Sequence, residues 1–217
     1  MQRIKDLLAD GKPLTWLFYG DSITHGVVHT FGHRIYPELF TERVRCEMGR
    51  MMDVVINTAI SGNNTQQLLD TFDHRVARFN PDVIFLMIGM NDCTTNPAQA
   101  IALDQFTANL NTLCDKFEAL GAVPILQTTC PILPGSAPDR EPQFPAFMQA
   151  ICDVAAKREL PLVDHTAYWK DNSDKLYFWM SNQFHPNEYG HRAFAELLFT
   201  EMGIWDPQSA TCRLMIP

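Results

Sequence analysis

The sequence predicts an α/β fold, a three-layer α/β/α sandwich built on a parallel sheet. Three observations carry that prediction. Short apolar runs recur along the chain, each is near-continuous rather than alternating, and stretches of helical periodicity separate them. A strand covered by helices on both faces reads as one apolar run, because neither face meets water. Strand–helix alternation over the whole length makes the strands parallel, since each helix carries the chain back across the sheet. No internal repeat and no linker interrupts the pattern, so the chain reads as a single domain, residues 1–217.

The elements follow in order. A first strand is expected over 14–19 and a helix over 36–51, then a strand at 54–57 and a helix over 64–79. The third strand, 83–88, precedes a helix at 97–120, with Pro97 near its start and Gly121 just past its end. The fourth strand is 123–128 and its helix 143–158. The fifth is 160–163, and a last helix runs 187–202, with Asn187 as its N-cap. Between 131 and 145, prolines 131, 134, 138, 142 and 145 exclude a helix or a central strand. This segment follows the fourth strand at the carboxyl edge, where open α/β sheets place their ligands, so it is either a pocket wall or a rigid connection.

Composition bounds the function. Of 217 residues 46% are hydrophobic, which argues against disorder, and the net charge of −8 offers no footprint for nucleic acid or an anionic membrane. The longest apolar run, 83–88, is far short of the roughly 18 residues of a spanning helix. The first residues lack the basic-then-apolar pattern of a secretory signal, which makes the cytoplasm the default expectation. Six cysteines show no paired spacing and fall mostly in apolar segments, so reduced, buried thiols are expected rather than disulfides or structural zinc.

Chemistry concentrates at four points. Gly20-Asp21-Ser22 ends the first strand, where a serine between glycines can be held exposed on a tight turn. Ser61-Gly62-Asn63 follows the second, where a glycine lets a backbone N–H approach a ligand closely. Gly89-Met90-Asn91-Asp92 follows the third, and an asparagine there can aim its amide into the crevice. Asn182-Gln183-Phe184-His185-Pro186-Asn187 precedes the last helix, and the proline keeps His185 out of helical geometry. Taken singly, each has an ordinary reading as a cap, a turn or a packed histidine.

Together, Ser22, Gly62, Asn91 and His185, in that order, resemble the SGNH hydrolases, also called the GDSL esterase/lipase family. The likeness runs from Tyr19 to Gly190. It implies a flavodoxin-like sandwich with a five-stranded parallel sheet, and a metal-independent, cofactor-free serine hydrolase. Ser22 would be the nucleophile and His185 the base, with Ser22 N–H, Gly62 N–H and the Asn91 amide holding the oxyanion. Asp21, His25, Asn63 and Asp92, which flank these positions, are candidate substrate-binding residues; Asp21 also reads as a support of the turn.

The sequence departs from the family at one position. The last block normally reads Asp-x-x-His, yet Asn182 stands where the aspartate belongs. A neutral amide can accept from Nδ1–H but can also flip and donate, and it cannot offset an imidazolium charge. Either a backbone carbonyl or another acid, such as Asp171, Asp174 or Glu188, orients His185, or the enzyme is slow, or the scaffold binds without turnover. His25-x-x-x-His29-x-x-x-His33 has metal-ligand spacing only if helical, which Gly26 and Gly32 oppose; these histidines are expected to flank the pocket mouth. The leading expectation is a serine esterase acting on a small ester, acetyl foremost, with an acetylated carbohydrate suggested by the polar residues near Ser22. A thioesterase or lysophospholipase and a non-catalytic binding module are the alternatives. The partner expected is a small ester substrate, with no nucleic acid or membrane, and the chain a monomer or homodimer.

Overall fold

Five strands form one sheet: β1 (Thr15–Gly20), β2 (Val54–Asn57), β3 (Val83–Met87), β4 (Val123–Gln127) and β5 (Leu162–Val163). Their order is β2-β1-β3-β4-β5 and every pairing is parallel. This is a computed structural model describing residues 1–214 and 216. Each observed strand lies within its expected run or, for β1, is displaced by a single residue. The apolar runs marked the strands well because β3 and β4 are buried along their whole length and β1 at all but its first residue. β2 lies at the edge, and its outer residues Val54 and Asn57 are exposed.

Among the described residues ten α-helices accompany the sheet. They are α1 (Gln2–Asp10), α2 (Ser22–His25), α3 (Tyr36–Thr41), α4 (Thr65–Asp70), α5 (Phe72–Arg75), α6 (Leu103–Ala119), α7 (Phe144–Lys157), α8 (His165–Asp171), α9 (Leu176–Trp179) and α10 (Glu188–Met202). α3 packs against α10, and α6 against α4 and α7, so helices cover both faces of the sheet. Phe18 and Phe85, in register across β1 and β3, stack at 4.4 Å, and Phe40 from α3 meets both edge-on. Among the described residues no helix is long and apolar enough to cross a membrane.

Several expected helices differ from those observed. The stretch 36–51 turns π-helical over Glu42–Glu47 and stops before Gly49, whose φ is +72°. The stretch 64–79 breaks into α4, α5 and a 3-10 turn, Ala77–Phe79; the Thr71 hydroxyl bonds back to Gln67 O at the first break. The helix expected from 97 begins only at Leu103. Before it, the Asn96 side chain accepts from Ala98 N–H, closing a turn instead of a helix. α1, α2, α8 and α9 lie outside the expected helices; α1 buries only Ile4, and α2 and α9 are single turns. Cysteines 93, 114 and 130 are buried and all six are free, but Cys46, expected in the interior, is exposed.

The 131–145 segment is tied down at both ends of the site. Leu133 N–H donates to Gln183 O at 2.8 Å, and Thr95 N–H to Asp139 O at 2.8 Å. It therefore joins the turn after β3 to the loop carrying His185. The strand order reverses between β2-β1 and β3-β4-β5, and the turns after β1, β2 and β3 meet at that crevice.

Candidate active site

The serine turn is shaped by close packing. A Cβ on Gly20 would stand 2.1 Å from Met87 O, so β1 can end this near β3 only with glycine there. The Asp21 side chain then caps α2, accepting from Ile23 N–H at 3.0 Å, and Ser22 becomes the first helical residue. From there Ser22 Oγ reaches His185 Nε2 at 2.8 Å across 163 residues of sequence.

His185 is fixed from both sides. Ser181 N–H donates to His185 O at 2.8 Å, and Met180 pairs with Pro186 in an isolated antiparallel bridge. Asn187 caps α10 through Oδ1 while its Nδ2 donates to Phe178 O at 2.7 Å, which ties the start of α10 to α9. Gly190 permits that contact, since a Cβ there would lie 2.4 Å from Trp179 O.

Asn182 Oδ1 lies 3.0 Å from His185 Nδ1 and also accepts the N–H groups of Phe184 (3.2 Å) and His185 (3.0 Å). Three donors on one oxygen oppose the amide flip allowed by sequence alone, because the reversed amide would set its NH₂ against all of them. The neutral ring therefore carries its proton on Nδ1, leaving Nε2 bare to accept from Ser22 Oγ–H. The group bonded to His185 Nδ1 is Asn182, where a backbone carbonyl or Asp171, Asp174 or Glu188 was the alternative. On the far side, Asn182 Nδ2 is 3.4 Å from His29 Nδ1, and the His29 ring stacks on His185 with centroids 3.6 Å apart and planes 11° off parallel.

Burial pushes the pKa of His185 down to about 3, and the nearby His29 and Arg140 add to the shift. Arg140 extends from the proline-rich segment over the Phe184 ring at 4.5 Å and donates to Met90 O at 3.1 Å. That segment is thus a wall of the site, although no sequence feature singled out Arg140.

The turns that carry the expected oxyanion donors are bonded to one another, His25 to Ser61 and Asn91 to Asn63. Gly62 has φ +85°, a conformation that favours glycine, and its carbonyl accepts from Gln99 Nε2 at 3.1 Å. Asn91 Nδ2 gives one N–H to Asn63 O at 2.9 Å, and an amide carries a second. Gln99 belongs to the stretch expected as helix, and its role depends on that stretch being a turn.

The four candidate substrate-binding residues separate into two groups. Asp21 and Asp92 are 0% exposed, so they cannot meet a ligand, a correction to the expectation from sequence. Asp92 Oδ1 accepts from Thr65 N–H at 2.8 Å and so pins the start of α4 to the turn after β3. Desolvation raises Asp21 to about 7 and Asp92 to about 6. Asn63 is half-buried, its Oδ1 taken by Arg75 at 2.7 Å, and it serves as a brace for Asn91. His25 is half-buried at the rim and accepts from Ser61 N–H at 3.2 Å. The three-histidine spacing does not lie on one helix, since α2 ends at His25; His29 turns to His185 and His33 is exposed.

The arrangement provides a hydroxyl in hydrogen-bond contact with an imidazole, and an amide oxygen bonded to the imidazole's other nitrogen. Such a site can carry out acyl transfer. The model of the GDSL-like lipase/acylhydrolase family matches residues 18–193. An acetylxylan esterase of Geobacillus stearothermophilus is 26% identical over 205 residues, covering 86% of this chain and 93% of that one. A protein of Mycoplasma pneumoniae is 39% identical over 113 residues, 52% of this chain but only 13% of its own length. Among solved structures, an acetylxylan esterase from Geobacillus stearothermophilus superposes with a TM-score of 0.74 at 23% identity, covering 88% of this chain and 94% of that one. An α/β hydrolase from the metagenome of Lake Arreo, Spain, gives 0.76 at 20%, covering 89% and 96%.

Proposed function

Because the chain belongs to the GDSL-like lipase/acylhydrolase family, we propose that it is a serine esterase that removes a small acyl group, acetyl foremost, from an acylated carbohydrate. The observation that carries this reading is the 2.8 Å contact between Ser22 Oγ and His185 Nε2. Oγ attacks the acyl carbon as its proton passes to Nε2, and negative charge collects on the former carbonyl oxygen. Ser22 N–H, Gly62 N–H and the second N–H of Asn91 Nδ2 take that charge. His185 then returns the proton to the departing alcohol oxygen, leaving an acyl-serine. Water repeats the sequence, giving its proton to Nε2 and releasing the acid as Ser22 recovers its hydrogen.

Two observations support an acetyl group on a polar substrate. The relative aligned over most of both chains is an acetylxylan esterase, and the rim beside Ser22 presents His25 and Ser61, polar and partly exposed. The test is a burst assay with p-nitrophenyl acetate and acetylated xylo-oligosaccharide on the chain beside Ser22→Ala. Turnover abolished by Ser22→Ala is expected. Longer acyl chains and thioesters in the same assay separate this reading from a thioesterase or lysophospholipase. Asn182 favours one rival, a scaffold that binds acylated ligands without turnover. Binding without hydrolysis, in this chain and in Asn182→Asp alike, would establish that rival.

A further inference from the structure

We propose that His29 is a positioning residue for His185, and that the neutral Asn182–His29 pair orients His185 as one carboxylate would. The inference rests on the esterase reading for its kinetic consequence but on geometry for its substance. His29 meets both members of the unit at once: its Nδ1 faces Asn182 Nδ2 at 3.4 Å, and its ring covers His185 at 3.6 Å.

The first contact answers a deficit of the asparagine, and the second fixes the plane of the His185 ring. An amide is asymmetric, and an acceptor on its nitrogen holds the oxygen end toward His185 Nδ1–H. To accept there, His29 Nδ1 must be bare, which puts its proton on Nε2 and leaves the ring neutral. The hydrogen bonds then run in one direction, from His185 Nδ1–H to Asn182 Oδ1 and from Asn182 Nδ2–H to His29 Nδ1, and each polarises the next. An amide is also uncharged, so it cannot offset the imidazolium formed as Ser22 gives up its proton. The His29 ring does not supply that charge; stacked on His185 with planes 11° off parallel, it holds the ring plane in which Nδ1 meets Asn182 and Nε2 meets Ser22.

The backbone around His29 is held against its own preferences. Val28 and Phe31, neither a glycine, have φ of +74° and +52°, and their side chains are 72% and 76% exposed. Thr30 between them is buried, its hydroxyl bonded to Gly26 O at 3.1 Å. Two apolar side chains are left in water and two residues strained while His29 is turned inward. Such strain persists where surrounding contacts fix it, and commonly at functional sites.

The test uses the full chain and p-nitrophenyl acetate, with kcat and KM for His29→Ala, His29→Asn, and His29→Ala combined with Asn182→Asp. His29→Ala is expected to lower kcat about tenfold, the scale of one net hydrogen bond, with KM little changed. His29→Asn, whose side-chain oxygen can replace the Nδ1 acceptor, recovers part of that loss. A carboxylate at 182 has no wrong orientation and supplies its own charge, so His29→Ala in that background costs under about twofold. Equal losses in both backgrounds, or none in the parent, overturn the proposal. A second readout does not need turnover: the His185 Nδ1–H proton resonance, expected in the parent and exchange-broadened in His29→Ala. If the parent hydrolyses no ester, the esterase reading fails alone, and this resonance decides on His29. Its indifference to His29→Ala overturns the proposal, and urea midpoints confirm that each variant is folded.

Discussion

Asn182 is the side chain bonded to His185 Nδ1, where a carboxylate would carry charge. Burial of the ring, with His29 and Arg140 nearby, lowers the His185 pKa to about 3, well below the ordinary histidine value, and the neutral Asn182 does not oppose that shift as a carboxylate would. The base is therefore already neutral in mildly acidic solution, and the acid limb of kcat/KM should lie below pH 6.5. Asn182→Asp places a carboxylate at Nδ1, which favours the imidazolium and moves that limb to higher pH. A pH–rate profile of both proteins checks the direction of the shift, and an unmoved limb assigns it to another group. Asp21 offers a separate test. Its Oδ1 caps α2, but its Oδ2 is buried without a hydrogen bond, and desolvation raises its pKa to about 7. Asp21→Asn keeps the cap and removes the buried charge. It should raise the urea midpoint at about pH 8, where Asp21 is ionised in the fold, with an advantage that shrinks toward pH 4.

At the scale of elements, the site depends on two close approaches rather than on long helices. α10 begins against α9, where a Cβ on Gly190 would meet Trp179 O, Pro186 Cβ and Trp169 within 2.8 Å. Gly190→Ala should cost about 3 kcal/mol by overpacking and lower kcat as well, since the displaced helix start carries Pro186 and His185 with it. Urea unfolding and ester kinetics on that variant check both effects, and a stability loss without a kinetic one would separate the helix from the loop. The short helices and turns after the strands were the least legible part of the chain. The stretches at 64–79 and 97–102 have helical residues but break where side chains bond to nearby backbone, at Thr71 and Asn96. Such competition is local and weak, so periodicity does not register it. The 97–102 turn matters nonetheless, because Gln99 holds the Gly62 carbonyl from there.

For the whole molecule, burial of ionisable groups sets the response to acid. His165, His185 and His191 are all held near pKa 3 by burial, so between about pH 6.5 and 3 the unfolded chain binds protons that the fold excludes. Stability contributed by these groups is lost as pH falls through that window. Asp21 and Asp92 act oppositely, since the fold keeps their protons above the ordinary carboxylate pKa until about 7 and 6. Glu47, lowered by its bonds to Ser209, Thr211 and Arg43, acts with the histidines. Urea midpoints should therefore be higher at about pH 6 than at pH 4, and His165→Gln should flatten that slope. The core itself centres on the Phe18–Phe85 stack, and Phe85→Ala should cost about 3–5 kcal/mol.

The sequence by itself determined the parallel sheet, the family and the pairing of Ser22 with His185. Continuous apolar strands and residues placed directly after them are local properties, and a parallel α/β sheet brings its strand ends to one edge. Tertiary structure decided how those residues are held. The orientation of the Asn182 amide depends on three donors from its own loop and on His29, 153 residues away. Burial alone separated Asp21 and Asp92, which neighbour the motif residues in sequence, from any ligand; Arg140 arrived from a loop that no motif marked, and the spacing that drew attention to His29 does not indicate its stack on His185. Distances across the chain and desolvation arise only when the sheet has closed, and one-dimensional patterns do not carry them.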